Sequence, residues 1–295
     1  MYCSVKSLIL TVIILISFAL SCGCTGGEDN SASVSGEKVK VTVTILPQEQ
    51  FVESVGGDNV DVFVLVPPGA SPHSYEPTPS DLAEVSDSDI YVIVGSGIEF
   101  ELTWLDKLKE LNPGITIINS SEGVDLVHSD TEGGADPHIW LSPRNAVKMV
   151  ENIRDGLSSF DPSGTDSYTE NAAAYASELE ELDSEISDEI NSSGVKVVMV
   201  SHPAWTYFAR DYGLEQIAIS GEGKEPTPAG IKELVDEAIE NNVSTIFVSP
   251  EFSSTDADAI AAEIEGKVAI VDPLAGDYLE NMRTVSKAFS GGDDS

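Results

Sequence analysis

The stretch 165–191 reads TDSYTENAAAYASELEELDSEISDEIN, and its pattern decides the fold. Tyr168, Ala172, Tyr175, Leu179, Leu182, Ile186 and Ile190 recur at spacings of three and four, the period of one helix face. Glu178, Glu181, Glu185, Asp188 and Glu189 occupy the other face. Neither Pro nor Gly interrupts the chain between Thr165 and Ser193, so one continuous helix is expected. At 1.5 Å per residue it reaches roughly 40 Å, longer than a small domain is wide. A helix of that length in mid-chain is expected to bridge two lobes.

Both flanks alternate strands with helices. On the amino-terminal side, 39–46 (VKVTVTIL), 60–66, 90–94 and 115–119 (ITIIN) are apolar and rich in β-branched residues, and read as strands. Segments 50–55 and 79–85 read as helices. Ser142-Pro143 opens another, with Val147, Val150, Ile153 and Leu157 at helical spacing. After the long helix, strands are expected at 195–200, 216–219, 245–248 and 268–271, with helices at 203–212, 229–241, 256–264 and 278–289. The strands are continuously apolar more often than alternating, as in a parallel sheet covered on both faces. The expected fold is therefore α/β: two lobes with parallel sheets, 37–164 and 194–295, joined by one long rigid backbone helix, 165–193. No sequence repeat relates the lobes.

The chain has 295 residues, 41% of them hydrophobic, enough for a sizeable core. Its 15 Lys+Arg against 51 Asp+Glu give a net charge of −36. Such a charge excludes nucleic acid as a partner, because phosphate binding depends on Lys and Arg displacing counterions. It also opposes a basic patch on anionic lipid. The acids are spread along the chain, as on a surface kept soluble in high salt or on an ordinary acidic protein. Cys3, Cys22 and Cys24 are the only cysteines, so the remaining chain has no thiolate and a Cys-based zinc site is excluded.

The amino terminus reads as an address. One charge, Lys6, precedes the apolar run 7–20 (SLILTVIILISFAL), too short for a span of about 20 residues and suited to a signal-peptide core. Small residues then lead to cysteine (LSCGC), as at a lipoprotein processing site, with Cys24 the preferred lipidation position and Cys22 the alternative. Residues 1–24 are thus assigned to the signal peptide and its cysteine, and 25–36 (TGGEDNSASVSG) to a flexible tether. Cleavage and lipidation would anchor the protein to the outer face of the cytoplasmic membrane. An uncleaved anchor would also leave the rest outside the cell.

The four histidines are His73, His128, His138 and His202, none in a local metal motif such as HExxH. His73 follows the strand 60–66, His138 precedes the helix opening at Ser142, and His202 follows the strand ending at Val200. Asp272 ends the strand 268–271. Ligands of open α/β sheets bind beyond the carboxyl ends of strands. Two of these residues come from each side of the long helix, so they can converge between the lobes. Singly, each of these histidines reads equally well as a cap or packing residue, and Asp272 alone reads better as a turn or cap residue. His128, in a polar loop with Asp130 and Glu132, reads as a solvated loop residue, with assistance in metal capture the alternative. Five prolines in 67–79 (PPGASPHSYEPTP) restrict the His73 loop and lower the entropy lost on binding. Three imidazoles and a carboxylate suit four-coordinate zinc, and four protein ligands leave no open position for a catalytic water, which favours carrying a metal over using it. No GxSxG, P-loop or post-strand GxGxxG is present. Gly95-Ser96-Gly97 reads as a structural turn.

At 67–81 (PPGASPHSYEPTPSD), 136–146 (DPHIWLSPRNA), 201–214 (SHPAWTYFARDYGL) and 271–282 (VDPLAGDYLENM) the chain resembles the metal-binding solute-binding lipoproteins of zinc/manganese ABC importers. The resemblance implies two lobes about a rigid helix with metal held in the cleft between them, and the ligands His73, His138, His202 and Asp272. Manganese- and iron-type members resemble this pattern with a carboxylate in place of His202, so Zn(II) is the expected cargo and Mn(II) the second choice. Many zinc members carry a long His-rich loop before the second histidine; here 127–135 is short and holds only His128. The implied protein is no enzyme but a monomeric extracytoplasmic receptor. It captures a divalent metal ion, delivers it to an ABC permease, and touches the membrane only through its lipid. The alternatives are a manganese/iron receptor of the same type, a surface adhesin, or a metallohydrolase on the same scaffold.

Overall fold

Strand β1, Val39–Val43, stops short of the expected boundary at residue 46. The Gln48 side chain accounts for this: its Oε1 accepts from the backbone N–H of Thr44 at 3.1 Å and of Ile45 at 3.3 Å. These bonds turn the chain into helix α1, Leu46–Gly56, with Pro47 in its first turn. The computed structural model describes residues 38–128, 134–220 and 226–291. The expected signal peptide, Cys22, Cys24 and the tether lie outside the described residues.

Strands β2 (Val60–Val64), β3 (Ile90–Ile93) and β4 (Thr116–Asn119) complete a parallel sheet in the order β2-β1-β3-β4. Val41 stands opposite both Val62 and Ile90, which sets the register of its centre. Helix α2, Pro79–Ser86, begins with a capping box: Thr78 Oγ1 accepts from Asp81 N–H and Asp81 Oδ2 accepts from Thr78 N–H. Helix α3, Glu99–Leu111, has no counterpart in the pattern-based reading. The reason is Glu101, a charged side chain only 5% exposed, which breaks the apolar stripe. Its carboxylate accepts from the N–H groups of Val94 and Gly95 and from the Thr44 hydroxyl, pinning the β3–α3 turn. Gly95 there has φ +79°, and a Cβ would run into the Asn119 side chain.

Helix α4, Pro143–Phe160, is capped by Ser142 and followed by α5, Thr165–Ser193, which ends at Gly194 in the left-handed region. This is the helix expected at 165–193, unbroken over 29 residues. The second sheet holds β5 (Val197–Val200), β6 (Glu215–Ala218), β7 (Thr245–Val248) and β8 (Lys267–Ile270) in the order β6-β5-β7-β8, again all parallel. Helices α6 (Thr206–Tyr212), α7 (Pro228–Glu240), α8 (Thr255–Glu263) and α9 (Tyr278–Phe289) accompany it. The two sheets thus share one strand order, a repeat of topology that the sequence does not display.

The seven stripe residues of α5 are all buried. They belong to a single apolar cluster that includes Val41 and Val92 of the first sheet and Val198 and Phe247 of the second. Residues 37–295 accordingly form one compact unit. The fold is α/β, with two parallel sheets and one long helix packed into a common core.

Candidate metal centre

His73, His138 and His202 come together, their nearest ring nitrogens all within 4.8 Å of one another. Each is delivered by the loop beyond a strand end. His73 sits in the proline-rich segment after β2, where Tyr75 N–H donates to Ser71 O at 2.9 Å and His73 N–H to the Ser71 hydroxyl at 3.3 Å. His138 precedes the tight turn Ile139–Leu141 that leads into α4. His202 follows β5 in a turn closed by Ala204 N–H on His202 O at 2.8 Å. Helix α6 therefore starts at Thr206, later than the proline at 203 suggests.

Two carboxylates orient two of the rings. Glu99, first residue of α3, lies 2.8 Å from His73 Nδ1, and Asp136 lies 2.9 Å from His138 Nδ1. The hydrogen bond from His73 holds the Glu99 carboxyl below its usual range against the cost of burial. Burial pushes Asp136 up, but its bond to His138 outweighs that and leaves it lowered. Both acids are thus ionised at neutral pH and can only accept, so each Nδ1 must carry the proton. Each Nε2 is left with a lone pair directed away from its carboxylate, the arrangement in which histidines bind metals.

His202 is 6% exposed, and its pKa is lowered to about 3 by burial and then by His138 and His73. It is neutral at physiological pH. Its Nε2 stands 3.2 Å from His138 Nε2. Two lone pairs at that separation repel unless a proton or a cation lies between them. The Phe252 ring stacks on His202 with centroids 4.7 Å apart.

Asp272 reaches the same end of the second sheet but is not part of the three-histidine cluster. It is half-buried, and its Oδ1 accepts from Leu274 N–H at 2.7 Å. Its loop is tied to the His138 segment, since Trp140 Nε1 donates to Pro273 O and Tyr278 Oη to Trp140 O, both at 2.7 Å. Pro273 and Leu274 border a cavity of about 10 Å³ among the three histidines, Glu251 and Phe252. A wider cleft of about 290 Å³, lined by Glu99, Asp136, His138, His202 and Thr206, opens beside it. His128 is exposed, bridges to Ala135, and stands outside the cluster.

Sequence reasoning did not single out Glu99, Asp136, Glu251 or Phe252. Glu99 and Glu251 carry the signal that found the histidines, a polar residue just beyond a parallel strand, but abundant acids hid it. The turn at 95–97 also serves the site, because Ser96 Oγ donates to Pro137 O and so binds the Glu99 segment to that of His138.

Fold and site define a class: α/β proteins with two parallel sheets packed about one long helix and imidazoles gathered at the carboxyl ends of both sheets. The family model described as zinc-uptake complex component A, periplasmic (ZnuA), matches residues 41–292, and the chain belongs to that family. It is 32% identical over 271 residues to the manganese-binding lipoprotein MntA of Halalkalibacterium halodurans, covering 89% of each chain. It is 32% identical over 282 residues to the high-affinity zinc uptake system protein ZnuA of Bacillus subtilis, covering 90% of this chain and 88% of that one. A crystal structure of ZnuA superposes with a TM-score of 0.84 at 41% identity, covering 87% of this chain and 99% of that one. The resemblance read from the four sequence segments is thereby borne out.

Proposed function

We propose that the protein is the extracytoplasmic receptor of a metal-uptake ABC importer, which captures a divalent ion and hands it to the permease. Zn(II) is the first assignment and Mn(II) the second. His73, His138 and His202 are the nitrogen ligands, and Asp272 completes the site once its carboxylate swings from the Leu274 N–H towards the ion. The observation that carries this reading is the convergence of three imidazoles, those of His138 and His202 buried and those of His73 and His138 held in the ligating tautomer by ionised carboxylates. Relatives whose names include zinc uptake and manganese binding support the choice of cargo.

The protein acts as a monomer, anchored through lipid on Cys24, or on Cys22. No helix among the described residues is long and apolar enough to cross a membrane. Metal exchange proceeds with small lobe movements, because α5 packs into a core shared by both sheets. The test is a zinc titration of the chelator-stripped protein with manganese as competitor. Tight one-to-one binding that His202→Ala abolishes and excess manganese does not displace establishes the zinc receptor. Binding indifferent to that substitution overturns the ligand set.

A further inference from the structure

Glu251 lies in a tight turn at the end of β7, closed by Phe252 N–H on Ser249 O at 3.1 Å. Its Oε2 is buried and has no hydrogen-bond partner among the described residues. An orphaned buried carboxylate oxygen is costly and calls for a partner. The same side chain borders the small cavity that His73, His138 and His202 enclose. At about 10 Å³ that cavity has room for one small occupant. Phe252, stacked on His202, covers one side of it.

We propose that Glu251 is a second carboxylate donor to the ion, through Oε2, in addition to Asp272. This rests on the reading of the three-histidine cluster as the metal site. Charge balance supports it. Three neutral imidazoles and one carboxylate around a divalent cation leave a net positive charge in a buried site, whereas two carboxylates neutralise it. Burial and the neighbouring Asp272 push the Glu251 carboxyl up, a cost that a cation in the cavity relieves. Like Asp272, Glu251 lies outside the three-histidine cluster and must turn towards the ion to reach it. The added oxygen also changes selectivity. Zinc is satisfied by four ligands, while manganese prefers more oxygen and a higher coordination number. Glu251 therefore widens the range of ions the site accepts, even with histidine at position 202.

The experiment compares the chelator-stripped full chain with Glu251→Gln, Glu251→Asp and Asp272→Asn in titrations with Zn(II), Mn(II) and Co(II). Thermal melting of each metal-free variant checks its fold. Glu251→Gln is expected to weaken Mn(II) binding by at least about tenfold, with a smaller loss for Zn(II). The visible absorption of the Co(II) form should intensify as the site drops towards four-coordinate, tetrahedral geometry. If Glu251→Gln does not fold, the same losses are read from Glu251→Asp, whose carboxylate falls one methylene short. Unchanged Mn(II) affinity and an unchanged Co(II) spectrum in the folded Glu251 variant overturn the proposal, while a loss confined to Asp272→Asn leaves the receptor reading intact. A wild-type chain that binds none of the three ions stoichiometrically overturns the receptor reading itself.

Discussion

His202 Nε2 and His138 Nε2 stand 3.2 Å apart although their residues belong to loops beyond different sheets. A proton on His202 Nε2 satisfies this contact, because the Asp136 carboxylate keeps the His138 proton on Nδ1 and leaves its Nε2 an acceptor. A bound cation takes that proton's place. Metal capture is therefore coupled to a tautomer change or proton loss at His202.

The carboxylates behind the rings should matter nearly as much as the rings. Glu99→Gln and Asp136→Asn each remove an ionised acceptor and free the Nδ1 proton of His73 or His138. Each substitution is expected to lower zinc affinity about 10–100-fold without abolishing one-to-one binding, measured by competition with a chromophoric chelator. Unchanged affinity in both would mean that the tautomers are not held from behind.

The lowered pKa of His202 makes the metal-free protein sensitive to acid. Folded His202 takes its proton near pH 3, the unfolded chain near 6.5, so between these values the unfolded state binds more protons. Stability is then complete above about pH 6.5 and falls as the pH drops towards 3. The facing groups His138, His73, Asp136 and Glu99 stay in place in His202→Asn, while Phe252 packs on the ring without titrating. Melting temperature plotted against pH should show a shallower slope in this variant between pH 6.5 and 4. Equal slopes would remove His202 as the cause. Glu99 and Asp136, whose pKa values are lowered, lose their contribution only at more acid pH.

The long helix carries the stability of both halves. Leu182 is fully buried in the shared core, so Leu182→Ala should cost about 2–5 kcal/mol. For a domain of this size that is about 2–4 °C in Tm for each kcal/mol. Thermal unfolding should remain one transition and zinc stoichiometry stay at one. A split transition would show that the sheets fold independently of α5.

A core common to both sheets also limits how far they can part. Small-angle scattering profiles of the metal-free and zinc-loaded protein should nearly coincide. A large fall in radius of gyration on loading would point to a hinge that the shared core does not provide.

Much of this was legible in the residues. The stripe from Tyr168 to Ile190 specified the long helix, and the β-branched runs specified parallel strands, because periodicity and propensity are local properties. Boundaries were less legible. The strand at 39–46 ended early because Gln48 bonded two backbone N–H groups, and α3 escaped notice because Glu101 interrupts its stripe with a buried charge. A side chain that finds its partner elsewhere in the fold leaves no local trace.

The site divides in the same way. The sequence by itself determined that three histidines lie beyond parallel strands on either side of one long helix, since those positions follow from the order of elements along the chain. Only the tertiary structure decided that their nitrogens meet within 4.8 Å, that Glu99 and Asp136 stand behind two rings, and that Glu251 faces the same cavity while Asp272 caps Leu274. Spacing along a strand or helix is set by the geometry of one element. The distance from His138 to His202, 64 residues apart, is set by how the two sheets pack around α5.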